Sequence, residues 1–160
     1  MADDQRNRAA RFQAVDELLT AWLKERRELL GKYTEIVVML DASLDGAALA
    51  ERQSALCELL VDYCSAGHFE VFHELLDEAE SFDDGSSILG RELIPSIGDT
   101  TEVILAYEEK YGTGDSDALD LGRDLSALGE VLESRFLLED RLIAGMHNRH
   151  RRLVEAPAQI

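Results

Sequence analysis

The segment "RFQAVDELLTAWLKERRELLGKYTEIVVML", residues 11–40, decides the fold class of this chain. Its large apolar side chains recur every three or four residues, which is the period that places them on one face of an α-helix. The members of this stripe are Phe12, Val15, Leu19, Trp22, Leu23, Leu30, Tyr33, Ile36, Val37 and Leu40. The pattern predicts a helix from about Arg8 to Leu40, with Gly31 as a weak point where it could bend or break.

Three further segments have the same helical period and are separated by short connections rich in Gly, Ser and Asp. They run from about Ala47 to Phe82, from Ser86 to Tyr111 and from Asp117 to Arg152. Pro95 falls inside the third segment and predicts either a kink or a late start, because its ring removes a helical hydrogen bond. Long amphipathic helices with short connections are typical of bundles. We therefore predict an all-α, four-helix bundle that forms a single domain over residues 1–160, with a basic tail at 149–160 that frays.

Composition and cysteine usage indicate the cellular compartment. Hydrophobic residues make up 46% of the 160 positions, which excludes a disordered acidic chain. No apolar run approaches the roughly 20 residues of a membrane span, and "MADDQRNRAARF" at the N-terminus lacks the apolar core of a signal peptide. Cys57 and Cys64 lie on one predicted helix about 10.5 Å apart along its axis, too far for a disulfide. We therefore expect a cytoplasmic protein with no membrane contact.

The chain carries a formal net charge of −17, and this charge is unevenly distributed. Between Thr34 and Asn148, 26 acidic residues stand against six basic ones, whereas the tail from Arg149 to Arg152 is basic. Such a negative field repels nucleic acid and attracts a basic partner. The same composition also fits solubility or adaptation to high salt, so both interpretations remain open.

Three charged residues interrupt the apolar stripes. Arg26 follows Trp22 by one turn in the first helix, and Arg135 and Glu139 fall within the stripe of the fourth. Long charged side chains are almost never fully buried unless they are paired. One interpretation is that these side chains reach a bundle end, or pair across helices and fix the helix register. The other is that Arg26, Arg135 and Glu139 line a polar interior cavity. A cavity of this kind would suit a sensor that binds a small ligand or a metal.

The patterns for metal binding and catalysis are incomplete. Glu70 and His73 have the Glu-x-x-His spacing of di-iron bundles, but the chain has no second such pair. His68 and His73 are five residues apart and therefore about 140° apart around a helix. Cys64 lies at the edge of an apolar stripe, and a structural role fits it better than a nucleophilic one. The chain also lacks a P-loop and a dinucleotide fingerprint. We expect no catalytic residue, no metal and no cofactor.

The second helix changes its apolar face partway along. Upstream and downstream stripes differ in direction by more than a quarter turn, and Gly67 lies between them. The two stripes are Leu56, Leu59, Leu60 and Tyr63, followed by Phe72, Leu75, Leu76 and Ala79. A kink, a local unwinding or a change of packing partner at Ser65–Gly67 would account for the shift.

Asp62, Ser65 and Phe69 occupy positions i, i+3 and i+7 of this helix and therefore share one face. That face points away from the upstream core stripe. An aromatic side chain beside an acid and a small polar residue is typical of a partner-binding patch. The alternative is that the bend carries Phe69 back into the core.

Three stretches together resemble the Rsd/AlgQ family of bacterial anti-sigma regulators. They are "AWLKERRELL" at 21–30, "LVDYCSAGHFEVF" at 60–72 and "LGEVLESRFLLEDRLI" at 128–143. The first carries the family's Trp-Leu-x-x-Arg, the second its Leu-Val-Asp-Tyr-x-Ser-Ala-Gly-His-Phe without a change, and the third its Arg-Phe-x-Leu-Glu-Asp. Pro95 also falls where the family has a proline. The resemblance spans nearly the whole chain but does not cover the loops or the basic tail.

The resemblance implies a helical bundle that binds region 4 of the primary (housekeeping) sigma factor. That region reads the −35 promoter element and contacts core RNA polymerase, so binding it would sequester the sigma factor from both and modulate transcription. By the same resemblance Asp62, Ser65 and Phe69 are candidate sigma contacts. The residues that it assigns to a polar interior cavity are Arg26, Arg135 and Glu139. Neither the patterns nor the resemblance indicates an oligomeric state, and neither suggests direct contact with nucleic acid.

Overall fold

The computed structural model describes residues 2–42, 46–113 and 118–155. Its helices are α1 (Ala2–Asp41), α2 (Gly46–Ala66), α3 (Phe72–Phe82), α4 (Ser86–Tyr111), α5 (Ala118–Met146) and α6 (Arg151–Glu155). A π-helical turn, Gly67–Val71, joins α2 to α3 without a break, and a 3₁₀ turn, Asn148–His150, leads into α6. The described ranges contain no β-strand. None of the helices in these ranges combines the length and apolar composition that crossing a membrane requires.

The prediction of an all-α, four-helix bundle is confirmed. Its four long members are α1, α4, α5 and the continuous rod that α2 and α3 form together. Helix α1 passes through Gly31 without breaking, and α4 is already helical nine residues before Pro95, so the late start is wrong. Pro95 is exposed, and water can therefore bind the helical carbonyl that the ring leaves without a donor.

All four long members contribute to one apolar core. Side chains without exposed surface include Leu29, Ile36, Leu56, Leu60, Leu75, Ile97, Ile104, Leu121 and Leu142. The stripe predicted for α1 included Leu30, but Leu29 is buried there and Leu30 is 40% exposed. The reason lies in the packing of α1, which lies mainly against α2 and α3 and meets α5 over only a few residues.

His147, just after α5, ties the C-terminal end of the bundle to two other helices. Its Nδ1 lies 2.8 Å from Oε1 of Glu78 on α3, and its Nε2 lies 2.8 Å from Oδ1 of Asp16 on α1. The imidazole is buried and stacks on the Phe12 ring at 4.1 Å. Both ring nitrogens face carboxylates, and an imidazole can donate to both only when it is protonated.

His150 anchors the segment in which we expected a frayed tail. It is buried, stacks on Phe82 at 3.9 Å, and its Nε2 lies 2.8 Å from Oδ2 of Asp84. Residues 149–155 are therefore helical in this structure. Arg151 also donates to the Asp16 carboxylate, and the fraying of the tail stays a prediction. The rest of the predicted tail, 156–160, lies outside the described residues.

Candidate functional site

The shift between the two stripes of the second helix is produced by the π-helical turn Gly67–Val71. The backbone N–H of Phe72 donates to the carbonyl of Gly67, five residues earlier. The extra residue in the turn rotates α3 relative to α2, so that each buries its own stripe. The local change predicted at Ser65–Gly67 is thus a π-helical turn rather than a kink, and turns of this kind often accompany functional sites.

Gly67 allows the turn to lie directly against α1. A Cβ at this position would lie 3.0 Å from Cζ2 of Trp22 and 3.3 Å from Cζ of Phe72. The Trp22 ring cannot easily give way, because it stacks on Tyr63 at 4.7 Å and its Nε1 donates to the Tyr63 carbonyl at 3.2 Å. The absence of a side chain at position 67 therefore sets how closely α2 approaches α1.

Beneath this turn, the Glu139 carboxylate accepts three hydrogen bonds from different helices. Arg135 Nε donates at 2.8 Å, the Tyr63 hydroxyl at 2.5 Å and Arg26 Nη1 at 3.4 Å. Arg135 Nη1 also donates to Oγ1 of Thr101 on α4 at 2.7 Å. Residues from α1, α2, α4 and α5 thus meet in one buried polar cluster.

Electrostatics within this polar cluster raise the pKa values of both Tyr63 and Glu139. Burial raises the pKa of Glu139 above its usual value, and the charges and hydrogen bonds of Arg135, Tyr63 and Arg26 offset only part of that rise. Burial and the Glu139 charge together raise the pKa of Tyr63 far above its usual value, so its hydroxyl remains a donor. The guanidinium groups of Arg26 and Arg135 compensate the charge of Glu139 inside the core.

The structure brings Arg26, Arg135 and Glu139 together, as the alternative of pairing across helices requires. Arg135 and Glu139 have no exposed side-chain surface, and only Arg26 reaches the surface, where its Nη2 lies 2.9 Å from Oδ1 of Asp140. A role for these three residues in holding a ligand stays a prediction. Sequence reasoning missed Tyr63 and Thr101 as partners; a tyrosine inside an apolar stripe was the available signal.

The outer face of α2, a name that we use for Asp62 and Ser65 of α2 together with Phe69 of the π-helical turn, carries the other predicted residues. Asp62, Ser65 and Phe69 are all exposed, and the Phe69 side chain is 78% exposed. The interpretation in which the bend buries Phe69 is therefore wrong. The π-helical turn holds Phe69 on the surface, where its ring meets the edge of the His68 ring at 4.7 Å.

Acidic residues of α1 adjoin this outer face of α2. Burial, then the charges of Asp62 and Glu28, raise the pKa of Glu25, which places the three carboxylates in one negative field. Within the described part of the chain, Asp62 forms no ion pair. A face that carries both an exposed aromatic ring and carboxylates offers an apolar anchor and a site for a cation. Sequence reasoning did not identify Glu25 or Glu28, because they lie on a different helix.

Neither thiol is available as a nucleophile. Cys57 and Cys64 are both buried and free. Burial raises the pKa of Cys57 to about 12 and also raises that of Cys64. Because the thiolate is the reactive form, both cysteines are unreactive in the folded protein.

One group in the described ranges could present several metal ligands, namely His73, Glu74 and Asp77 on the first turns of α3. His73 Nε2 lies 3.4 Å from Oδ2 of Asp77, and the histidine is 68% exposed. All three residues come from one helix, His73 is exposed, and Glu74 and Asp77 are half-buried. Glu70, the partner of His73 in the predicted spacing, does not belong to the group.

Comparison with known proteins places these features in a family. The family described as "Regulator of RNA polymerase sigma(70) subunit, Rsd/AlgQ" matches residues 1–147. "Regulator of sigma D" of Yersinia enterocolitica is 30% identical over 137 residues, which are 83% of this chain and 82% of the relative. "Regulator of sigma D" of Salmonella arizonae is 31% identical over 147 residues, 89% of this chain and 90% of the relative. No solved structure matches the chain. The chain therefore belongs to the Rsd/AlgQ family of regulators of the RNA polymerase sigma(70) subunit.

Proposed function

We propose that this protein binds region 4 of the primary sigma factor through the outer face of α2 and sequesters it from core RNA polymerase and the −35 promoter element. The observation that carries the proposal is Phe69, whose side chain is 78% exposed on the face that also carries Asp62, a residue with no ion pair to another described residue. An aromatic side chain of this size is costly to leave in water unless a partner covers it.

Electrostatics support a basic partner for this face. The chain has a net charge of −17, and Asp62 lies in the same negative field as Glu25 and Glu28. A protein region that binds DNA carries Lys and Arg side chains, which contact the DNA phosphates. These cations are attracted to the acidic face at long range, which speeds encounter, and Phe69 then anchors the complex.

The mechanism is occlusion and requires no chemical step. A sigma region covered by this protein contacts neither the promoter nor the polymerase, so the pool of free primary sigma factor falls. The buried thiols and the closed polar cluster agree with a binding protein rather than an enzyme. We place the protein in the cytoplasm, where its proposed partner acts.

The test is binding of the purified primary sigma factor, measured by isothermal titration calorimetry at several salt concentrations. We expect a complex that weakens as salt rises, and Phe69→Ala should raise its Kd by more than fivefold, about 1 kcal/mol. Ile88→Ala is the matched control, because Ile88 is 57% exposed on α4 and lies outside the proposed face. Absence of a wild-type complex at moderate salt would refute the proposal, and equal Kd values for Phe69→Ala and the wild type would refute the role of the outer face.

A further inference from the structure

An open groove separates α1 from α5 on the outside of the bundle. Two adjoining depressions, of about 250 and about 230 Å³, share Tyr33 as a common lining residue. Together they extend along α5 from Gly122 to Asp140. At a rise of 1.5 Å per residue this length is about 27 Å, or roughly five turns of a helix. We call this feature the α1–α5 groove.

The floor of the α1–α5 groove is held in place by Tyr33. Its hydroxyl crosses from α1 and donates to the Leu125 carbonyl of α5 at 2.8 Å. A Cβ at position 129 would collide with this hydroxyl, so Gly129 is required for the crossing. Because the two helices are bridged at this fixed separation, the groove is already formed before any partner binds.

The walls of the α1–α5 groove carry apolar side chains that the described residues leave exposed. Leu137 of α5 is 61% exposed and Leu30 of α1 is 40% exposed, and both line the same depression with the Phe136 ring. A continuous apolar surface of this kind marks an interaction site more often than isolated exposed leucines do. Leu30, which the helical period predicted to be buried, is exposed because α1 meets α5 over only a few residues and leaves this groove between them.

Among the described residues that line the α1–α5 groove, the charged ones are acidic: Glu133, Asp140 and Asp41. Asp140 is paired with Arg26. Glu133 and Asp41 form no ion pair with another described residue. An apolar trough with unpaired carboxylates along its edge complements a helix that has an apolar stripe and Lys or Arg beside it.

We propose that the α1–α5 groove binds one amphipathic, basic-edged helix of the protein's partner. The apolar stripe of that helix packs on Leu30 and Leu137, and its cations face Glu133 and Asp41. The proposal rests on the proposed function, since we assign the helix to the same sigma factor that contacts Phe69. Helix α1 lies between the two sites, with Glu25 towards Asp62 on one side and Leu30 in the groove on the other. In this proposal the partner contacts both sides of α1.

The first experiment measures the Kd of the purified primary sigma factor for Leu137→Arg. We expect at least a tenfold increase, because a guanidinium replaces an apolar wall and repels the basic helix. Leu105→Arg is the matched control, because Leu105 is 42% exposed on α4 and lies outside the groove. The Kd of the sigma factor for this variant should equal the Kd for the wild type. Both sites are exposed, and unchanged thermal unfolding will show that both variants fold.

The second experiment introduces a photoreactive phenylalanine analogue at position 137 or 105 and maps the cross-linked sigma peptides by mass spectrometry. We expect cross-links from position 137 to one amphipathic helical peptide and none from position 105. If Phe69→Ala weakens the complex but Leu137→Arg leaves the Kd unchanged, the groove is not a docking site and the proposed function stands. A wild-type protein that does not bind the sigma factor refutes the proposed function itself, and cross-links that map only to non-helical peptides refute the helical occupant.

Discussion

Replacing Arg135 with alanine removes the guanidinium group that connects α5 to the Glu139 carboxylate and to Thr101 of α4. The side chain has no exposed surface, and neither has that of Glu139. Water therefore cannot take the place of the lost hydrogen bonds without a rearrangement of the core. The variant leaves a buried carboxylate with fewer partners and a space where the long side chain lay.

The magnitude follows from the contacts that remain. Removal of one partner from a buried ion pair costs about 3–5 kcal/mol. Tyr63 still donates to Glu139, and Arg26 still lies 3.4 Å away, so we expect the lower end of that range, about 3 kcal/mol. For a chain of this length, such a loss lowers the melting temperature by about 6–12 °C. Arg91→Ala is the control, because its ion pair with Glu80 is exposed and is worth about 0–1 kcal/mol.

The assay is urea unfolding of both variants followed by circular dichroism, with the loss of stability taken from the midpoints. A loss for Arg135→Ala within about 1 kcal/mol of that for Arg91→Ala would refute the inference that the polar cluster stabilises the bundle. A double variant provides a second check. Arg135→Met with Glu139→Gln leaves no uncompensated charge and should be more stable than Arg135→Met alone.

Two further predictions concern the histidine at the C-terminal end and the glycine in the π-helical turn. Burial lowers the pKa of His147, but its hydrogen bonds to Glu78 and Asp16 outweigh burial, so the folded-state pKa lies above the usual value of 6.5. The stability that these contacts provide is fully present below about pH 6.5 and is lost as pH rises through the raised folded-state pKa. The urea midpoint of the wild type should therefore fall over that pH range, and that of His147→Gln should fall less. Equal pH dependence of the two midpoints would contradict this prediction. Gly67→Ala should lower the free energy of unfolding, taken from the urea midpoint, by about 1 kcal/mol despite the higher helix propensity of alanine, because the new Cβ would lie 3.0 Å from the Trp22 ring. A more stable Gly67→Ala protein would show that the ring moves aside freely.

The amino-acid sequence by itself determined the number of long helices, most of their apolar faces and the place where the second helix changes its apolar face. These properties depend on neighbours three or four residues away, so they are written in local periodicity. The motifs around Trp22, Asp62 and Arg135 were also sufficient to identify the family, which the comparisons confirmed.

Only the tertiary structure decided what the interrupting residues do. A kink and a π-helical turn both explain a shifted stripe, and only the structure, in which the Phe72 N–H donates to the Gly67 carbonyl and Phe69 is exposed, distinguishes them. The partners of Arg135 lie on two helices, and the charge pattern does not contain the distances between helices. The α1–α5 groove likewise depends on how far apart two helices lie. Separations of this kind are set by side chains remote in sequence, and for that reason periodicity alone could not predict them.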